Sequence, residues 1–199
     1  MTPEEQNKMS VIEYKTKPDT ISYDELYELL YNAHAENRKR GMIINPDIKS
    51  GEDLKAHLGK DHVCMVAMDG NQVVGTFSIR IEKGTRKISK NLLTGYLSNM
   101  GVSEEYRGMG VGAGLISKLA EYAEKEGADA LALHVREGNN AYYLYKKAGF
   151  IEADYLVRDK QKRKTIYMIK WLGRPKYPKW SLMLHYGLKK AYLTAKYRC

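Results

Sequence analysis

The feature that most constrains this chain is a run of four glycines within residues 108–114. Residues 92–102 before it predict a strand, and the apolar spacing of residues 111–125 after it predicts a helix. Glycines at such a junction let successive N–H groups point into one concavity at the positive end of the helix. The glycine loop, defined as residues 107–114, is therefore predicted to bind phosphate oxygens. A tight packing turn that binds nothing is the alternative.

Two known phosphate-binding patterns can be compared with the glycine loop. The Walker pattern does not match, because no Lys-Ser or Lys-Thr pair follows the glycines. The dinucleotide pattern Gly-x-Gly-x-x-Gly/Ala matches at Gly108, Gly110 and Ala113, with Glu137 as a distal acid. A charged segment, residues 103–107, separates the strand from the first glycine, and this position is unusual for a dinucleotide site.

A third pattern, Arg107-x-x-Gly110-x-Gly112 between a hydrophobic strand and a helix, resembles the acetyl-CoA pyrophosphate loop of the GNAT superfamily of N-acetyltransferases. Residues 139–150, Asn-Asn-Ala-Tyr-Tyr-Leu-Tyr-Lys-Lys-Ala-Gly-Phe, are similar to the fourth-helix motif of that superfamily. Two motifs in the family order are more specific than either one alone. The resemblance covers residues 10–172, which we predict to form one acetyltransferase domain.

The resemblance implies a three-layer α/β/α fold with a mixed, mostly antiparallel central sheet that splays between its fourth and fifth strands. Ser22 and Glu25 form a predicted capping box, and Asp69-Gly70-Asn71 is typical of a hairpin turn. Predicted helices cover residues 22–36, 50–58, 111–125 and 140–148. Predicted strands cover residues 11–15, 62–68, 72–82, 92–102, 130–135, 150–157 and 164–171.

The resemblance also implies acetyl-CoA as the co-substrate, with its pantetheine arm beside the fourth strand and its pyrophosphate on the glycine loop. The implied cofactor contacts are Met100, Val102, Arg107, Gly108, Met109, Gly110, Val111, Gly112, Ala113 and Asn139. A backbone N–H near Met100 would hold the thioester oxygen, and Gly101 suits an irregular strand or a close backbone approach there. Asn139 departs from the family pattern, because it lies one residue closer to Tyr145 than usual.

The chemistry requires proton transfer, since an amine attacks a thioester only as the free base and the departing thiolate needs a proton donor. The family motif places the donor at Tyr145, although Tyr142, Tyr143 and Tyr145 could instead form a packed aromatic face. The fourth strand contains no acid. In the branch that acetylates a ribosomal-protein amino terminus, the acidic base precedes the valine of the fifth strand, and His134 occupies that position. A hydrogen-bonded structural histidine is the alternative.

Charged residues follow the first helix, in the loop that flanks the acceptor in this superfamily. Arg38 and Arg40 could bind an acceptor carboxylate or phosphate, although a charge run can also be a solvated face. The predicted function is N-acetyl transfer to a primary amine, with a small molecule such as an amino sugar, amine or amino acid as the favoured acceptor. A protein Nα- or lysine acetyltransferase and a non-catalytic acyl-CoA-binding module are the alternatives.

The positive charge is concentrated at the end of the chain. Residues 173–199 contribute +7 of the net charge of +9 and contain no acid, so the rest is nearly balanced. Residues 180–196 predict a helix with an apolar arc and a basic stripe. This C-terminal extension could pack on its own domain, form a homodimer contact or bind an anionic membrane surface. We expect no nucleic-acid partner, because no recognition motif accompanies the charge.

Other features of the sequence exclude several classes of protein. No apolar run is long enough to span a bilayer and the start lacks a signal peptide, which predicts a cytoplasmic location. Cys64 and Cys199 do not form a disulfide framework. His34, His57 and His62 lack metal-ligand spacing and are predicted to be surface or capping residues, so no metal is expected.

Overall fold

The computed structural model describes residues 11–42, 47–86, 88–157 and 164–173. Its elements are β1 (Glu13–Thr16), α1 (Tyr23–Ala33), α2 (Ala35–Lys39), α3 (Gly51–Leu58), β2 (His62–Asp69), β3 (Gln72–Lys83), β4 (Leu93–Val102), α4 (Val111–Lys125), β5 (Ala130–Arg136), α5 (Ala141–Lys147), β6 (Ile151–Val157) and β7 (Lys164–Trp171). Its contacts divide the described chain into two compact units. The first contains residues up to 78 and residues 99–118, and the second contains residues 79–98 and those from 119 onward.

The strands form one seven-stranded sheet in the order β1-β2-β3-β4-β5-β7-β6. β4 and β5 run parallel, whereas β1 with β2, β5 with β7 and β6 with β7 are antiparallel. The ladder between β4 and β5 ends at Tyr96 and Ala132, while β5 continues to pair with β7 as far as Arg136. The predicted α/β fold, with a mixed sheet splayed between the fourth and fifth strands, is confirmed.

Two helices of the first unit, α1 and α3, begin at capping serines. Ser22 Oγ accepts a hydrogen bond from the Glu25 N–H at 3.0 Å, as the capping box predicted, and Ser50 caps α3 in the same way. The predicted helix over residues 22–36 is interrupted, because α1 ends at Ala33 and His34 separates it from α2. The apolar core of this region consists of Ile21, Leu26, Leu29, Leu54, Leu58, Cys64, Val66, Met68 and Val73.

The predicted hairpin between β2 and β3 is confirmed. Gly70 adopts a φ of +55° in the turn, a conformation that favours glycine. Tyr106, which lies just before the glycine loop, donates a hydrogen bond from its hydroxyl to Asp69 Oδ2 at 2.7 Å. This contact ties the start of the glycine loop to the hairpin within the first unit.

Both faces of β5 are buried in the second unit, because successive side chains point to opposite faces of the sheet and residues 130–133 are all buried. Leu131 packs near Gly95, where an added Cβ would lie 3.0 Å from side-chain carbons of Leu131 and Ala123. The opposite face of β5 carries Ala132 and His134. The buried apolar cluster that includes Ala132 consists of Leu92, Ala130, Ala132, Ala153, Tyr167 and Ile169. His134 therefore lies on the same face as Tyr167, its partner in β7.

Most of the predicted C-terminal extension lies outside the described residues, which end at Gly173. Its helix and its boundary at residue 172 stay predictions. Among the helices that are described, none is long and apolar enough to cross a membrane.

Candidate active site

The glycine loop lies in the first unit and leads from a short 3-10 turn, Glu104–Tyr106, into α4. Gly108 and Gly110 have φ angles of +80° and +85°, which side-chain-bearing residues rarely adopt. The first hydrogen bond of the helical ladder runs from the Gly114 N–H to the Gly110 carbonyl at 2.9 Å. Among the described residues, no backbone carbonyl accepts from the N–H groups of residues 108–113. The loop thus presents free donors at the positive end of α4.

The side chain of Arg107 braces the glycine loop against the first helix. Its Nη2 donates to the backbone carbonyl of Ala33 at 2.7 Å, at the end of α1. Carbonyls at a helix C-terminus lack partners within the helix, so this contact satisfies one of them. In this structure the guanidinium of Arg107 holds the loop in place, and the donors that the loop leaves free are backbone N–H groups.

The end of β4 is irregular, as predicted, but the irregular residue is Asn99. Asn99 has a φ of +49°, the one non-glycine residue with positive φ in the described chain. Asparagine tolerates this region better than most residues. Gly101 instead permits close packing of α1, since an added Cβ would lie 3.0 Å from Leu30 Cδ2 and 3.1 Å from Ala33 Cβ.

His34 connects the end of α1 to this irregular end of β4. It occupies the C-cap of α1, and its ring hydrogen-bonds to the backbone of Met100. Asn37 Nδ2 lies 3.4 Å from its Nδ1. Burial, with smaller contributions from the positive charges of Arg38 and Arg107, lowers the pKa of His34 to about 4. The ring is therefore neutral near pH 7 and donates to the Met100 carbonyl.

The two predicted acceptor-binding arginines lie at the end of α2 in the first unit. The Arg38 guanidinium stacks 3.6 Å from the ring centre of Tyr31 and donates to the backbone carbonyl of Tyr31. Arg40 is the C-cap residue of α2 and is exposed. Lys39 pairs with Glu36 at 2.8 Å on the surface of the same helix. Arg38 is therefore held against α1.

In the second unit, His134 is the centre of a group of polar side chains. Its Nδ1 lies 2.7 Å from the hydroxyl oxygen of Tyr96 on β4, and its Nε2 lies 3.0 Å from Nη2 of Arg86. The rings of Tyr96 and Tyr167 lie 5.8 and 5.0 Å from that of His134, centre to centre. We call Arg86, Tyr96, His134 and Tyr167 the His134 cluster. The ring is half-buried, and both of its nitrogens have partners.

Tyr145 is the buried member of the three tyrosines on α5. It is 7% exposed and packs edge-on against Phe150 at 5.7 Å, whereas Tyr143 is 69% exposed. Tyr142 donates to Glu152, and this hydrogen bond together with burial raises the pKa of Tyr142 to about 12. Burial also raises the pKa of Tyr145. The Tyr145 hydroxyl therefore stays protonated at neutral pH, as a proton donor must.

Asn139 lies at the start of α5 in the second unit. Its Oδ1 accepts from the Ala141 N–H at 2.9 Å, and its backbone N–H donates to the Arg136 carbonyl at 3.1 Å. The side-chain oxygen thus caps the first turn of the helix. Its part in cofactor binding stays a prediction.

Comparison with known proteins identifies the family. The profile described as the Acetyltransferase (GNAT) family matches residues 23–150, which include the glycine loop, the His134 cluster residues Arg86, Tyr96 and His134, and all of α5. The chain belongs to the GNAT family.

This GNAT protein is similar to enzymes with different acceptors. It is 29% identical to the [ribosomal protein bS18]-alanine N-acetyltransferase of Haemophilus influenzae over 73% of this chain and 84% of that one. Its fold matches the ribosomal-protein-S18-alanine N-acetyltransferase of Escherichia coli with a TM-score of 0.62 and 19% identity, over 83% and 96% of the two chains. An aminoglycoside 6'-N-acetyltransferase complexed with coenzyme A matches with a TM-score of 0.63 and 15% identity, over 82% and 99%.

Membership of the GNAT family makes this chain an N-acetyltransferase with acetyl-CoA as its co-substrate. The glycine loop fits that co-substrate, because its free N–H groups and positive-φ glycines form a cradle for phosphate oxygens. The open space around Gly108 and Gly110, where an added Cβ would meet nothing within 4 Å, leaves room for a ligand. When bound, acetyl-CoA supplies the activated acetyl group.

Sequence reasoning missed four residues that the structure of this GNAT enzyme brings to the two candidate regions. They are His34 and Asn99 in the first unit and Arg86 and Tyr96 in the second. His34 was predicted to be a surface or capping residue, and it does cap α1, but its contact with Met100 was not predicted. Arg86 and Tyr96 lie 48 and 38 positions from His134, and a hydrogen bond at that separation leaves no local pattern. The asparagine at position 99 was a weak indication of an irregular strand end, because asparagine is enriched at positive φ.

Proposed function

We propose that this GNAT enzyme acetylates the α-amino group of a protein amino terminus by direct attack on acetyl-CoA, with His134 as the base. The observation that carries the proposed base is the pairing of His134 with Tyr96, at 2.7 Å. A histidine ring fixed by a hydrogen bond at one nitrogen presents the other nitrogen in a defined direction. Such a ring suits proton transfer from an amine at neutral pH.

The cofactor contacts proposed from the sequence fall in two groups. Residues 108–113 offer backbone N–H groups to the pyrophosphate, and Arg107 holds that loop through Ala33. Met100 and Val102 lie at the end of β4, beyond its last pair with β5 at Tyr96. Beyond that pair, the edge of β4 that faced β5 is proposed to pair with the pantetheine amides as another strand would. The Met100 N–H is the proposed donor to the thioester oxygen.

The proton balance of the proposed reaction assigns one role to each of two side chains in the second unit. The amine nitrogen forms a bond to the acetyl carbonyl carbon, and the carbon–sulfur bond breaks. The ammonium proton passes to Nε2 of His134 after Arg86 withdraws from that nitrogen, because Nδ1 already carries the proton that it donates to Tyr96. Tyr145, protonated at neutral pH, gives its proton to the departing thiolate.

The acceptor class is proposed from the sequence relative. The Haemophilus influenzae enzyme acetylates the alanine of a ribosomal protein, and its similarity to this chain extends over most of both sequences. The solved structures include enzymes for a protein and for an aminoglycoside at nearly equal TM-scores, so fold does not discriminate between them. The small-molecule amine favoured by the sequence analysis is the second candidate. Arg38 and Arg40 are proposed to bind acidic groups of either acceptor.

Release of free CoA thiol on addition of an acceptor tests this function. We expect peptides with a free amino terminus to stimulate release, and the same peptides with an acetylated terminus to be inactive even when they contain lysine. Stimulation by the capped lysine peptides would indicate a lysine acetyltransferase. Stimulation only by aminoglycosides, polyamines or amino acids would indicate a small-molecule enzyme. Tight acetyl-CoA binding with no stimulation by any amine would contradict the enzymatic proposal.

The basic extension, residues 173–199, has a separate proposed role. Its predicted apolar arc suits packing on its own domain or on a second copy of the chain better than it suits solvent. A chain ending at Leu172 is expected to lose stability or a dimer contact, as measured by thermal unfolding and sedimentation. A stable and active truncated monomer that no longer sediments with anionic vesicles would favour the membrane alternative.

A further inference from the structure

Arg86 is held in place by the compact connection between β3 and β4, in the second unit. Its backbone N–H donates to Ser89 Oγ at 3.4 Å, and its carbonyl accepts from the Ser89 N–H at 2.8 Å. Ser89 is fully buried, and Tyr167 donates from its hydroxyl to Ser89 Oγ at 3.0 Å. An added Cβ at Gly84 would lie 2.1 Å from the Ser89 carbonyl oxygen, so Gly84 packs closely against Ser89.

The contact between Arg86 and His134 fixes the state of the imidazole ring. Nη2 of Arg86 lies 3.0 Å from Nε2 of His134. A guanidinium has donors and no acceptor, so Nε2 must accept and cannot carry a proton. A neutral imidazole has one N–H, which must therefore be on Nδ1. That N–H donates to the Tyr96 hydroxyl oxygen at 2.7 Å.

We infer that Arg86 is a positioning residue for His134: it keeps the ring neutral with its proton on Nδ1 and thereby makes the Tyr96 hydroxyl an acceptor of that proton. The functional meaning of this inference rests on the proposed role of His134 as the base. The hydroxyl proton of Tyr96 must then be donated away from His134. Arg86 occupies the same lone pair that would receive the amine proton, so transfer requires the guanidinium to withdraw from Nε2.

Charged and titratable groups face the surroundings of His134 from several elements. Tyr96 approaches from β4 and Tyr167 from β7. Glu82 on β3 and Asp154 on β6 act on Tyr167, and burial is the main cause that raises the pKa of Tyr167. The Arg86 guanidinium lies 6.0 Å from the Tyr167 ring centre, which adds a weak attraction to its position. A fixed positive charge beside Nε2 opposes protonation of the ring.

Nitrogen NMR of the full chain tests this inference without reference to activity. Histidine labelled with ¹⁵N distinguishes a protonated from an unprotonated ring nitrogen, and His134 is assigned among the five histidines by the loss of its signals in His134→Gln. We expect the Nδ1–H form in the wild type. In Arg86→Met we expect the titration midpoint of His134 to rise by roughly one pH unit. Lys90→Met, which removes an exposed charge from the same connection, should leave the midpoint unchanged.

The conservative variant and a kinetic measurement complete the test. Arg86→Lys keeps a cationic donor and should retain a midpoint near that of the wild type. If Arg86→Met does not fold, Arg86→Gln, which also removes the charge, replaces it in the comparison. In Arg86→Met, the acidic limb of the pH profile of kcat/KM should move to higher pH together with the His134 midpoint. An Nε2–H form in the wild type, or equal midpoints in Arg86→Met and Lys90→Met, would overturn the inference. Wild-type kcat/KM in His134→Gln would instead refute the proposed base and leave the tautomer result standing.

Discussion

The glycine loop and the His134 cluster use two different chemistries. Residues 107–110 of the loop, in the first unit, are exposed, and the proposed binding groups of the loop are backbone N–H groups freed by Gly108 and Gly110. In the second unit the cluster combines the buried Tyr167 with three half-buried residues, and its side chains come from β4, β5, β7 and the β3–β4 connection. A site made of backbone groups tolerates a change of side chain but not a change of backbone conformation. A site made of side chains is lost when a side chain is replaced. A substitution can therefore alter the glycine loop or the His134 cluster and leave the other region unchanged.

The largest effect is expected from the proton-transfer residues. Tyr145→Phe removes the proposed donor, and His134→Gln removes the proposed base, so each should lower kcat by roughly 10²–10⁴-fold. Acetyl-CoA affinity, measured by calorimetry, should change little, because the pyrophosphate is proposed to bind to the backbone of the glycine loop. Tyr143→Phe, at an exposed position on the same helix as Tyr145, is the matched control. Wild-type kcat and pH dependence in His134→Gln would return that residue to a structural role.

In the glycine loop the expected pattern is reversed, and the main effect of a substitution should be weaker binding of acetyl-CoA. Gly110→Val forces a β-branched residue into a φ of +85° and should displace the N–H groups that are proposed to bind phosphate. Losing one charge-assisted hydrogen bond corresponds to roughly 10–100-fold weaker binding. Calorimetry with acetyl-CoA measures this loss, and circular dichroism checks that the fold is retained. Gly112→Ala, at a helical position of α4, should be much milder. Equal losses in the two variants would mean that crowding, and not backbone conformation, controls the site.

A smaller effect is expected when the partner of His134 is changed. Tyr96→Phe removes the acceptor of the His134 Nδ1–H and should lower kcat/KM by about tenfold, the scale of one buried hydrogen bond. Combined with His134→Gln, it should add little further loss, because the two residues act as a pair. Steady-state kinetics of the single and double variants measure the coupling. Additive losses would show that Tyr96 acts independently of His134.

The smallest expected effect concerns His34, which links α1 to the end of β4. The folded-state pKa of His34 is lowered from 6.5 to about 4, so the unfolded chain binds the proton first as pH falls. Stability should therefore be lost on acidification, by about 1 kcal/mol between about pH 6.5 and 5.5.

Urea unfolding at the two pH values measures this loss. His34→Gln retains a donor toward Met100 but does not titrate, so it should lose about 1 kcal/mol less than the wild type over the same interval. His57→Gln, at an exposed position on α3, controls for a change of histidine that lacks this environment. The same pH dependence in all three proteins would exclude His34 as its source.

Sequence alone predicted the elements whose formation is local. The capping box at Ser22, the hairpin at Gly70 and the α4 helix behind the glycine loop depend on residues within a few positions of one another. The interruption at His34 was not predicted, because the contacts that favour it come from Met100 and Arg107, far along the chain. The sequence pattern is helical through residue 36, whereas contacts with distant residues determine that α1 ends at Ala33.

The sequence by itself determined the family, the fold class and the co-substrate, since glycines at fixed spacing constrain the backbone wherever the rest of the chain lies. Only the tertiary structure decided the surroundings of His134. Its two hydrogen bonds come from Arg86 and Tyr96, which strand pairing and the β3–β4 connection bring to one face of β5. The direction of a proton depends on which donors and acceptors surround a ring in space, and no spacing along the chain encodes that arrangement.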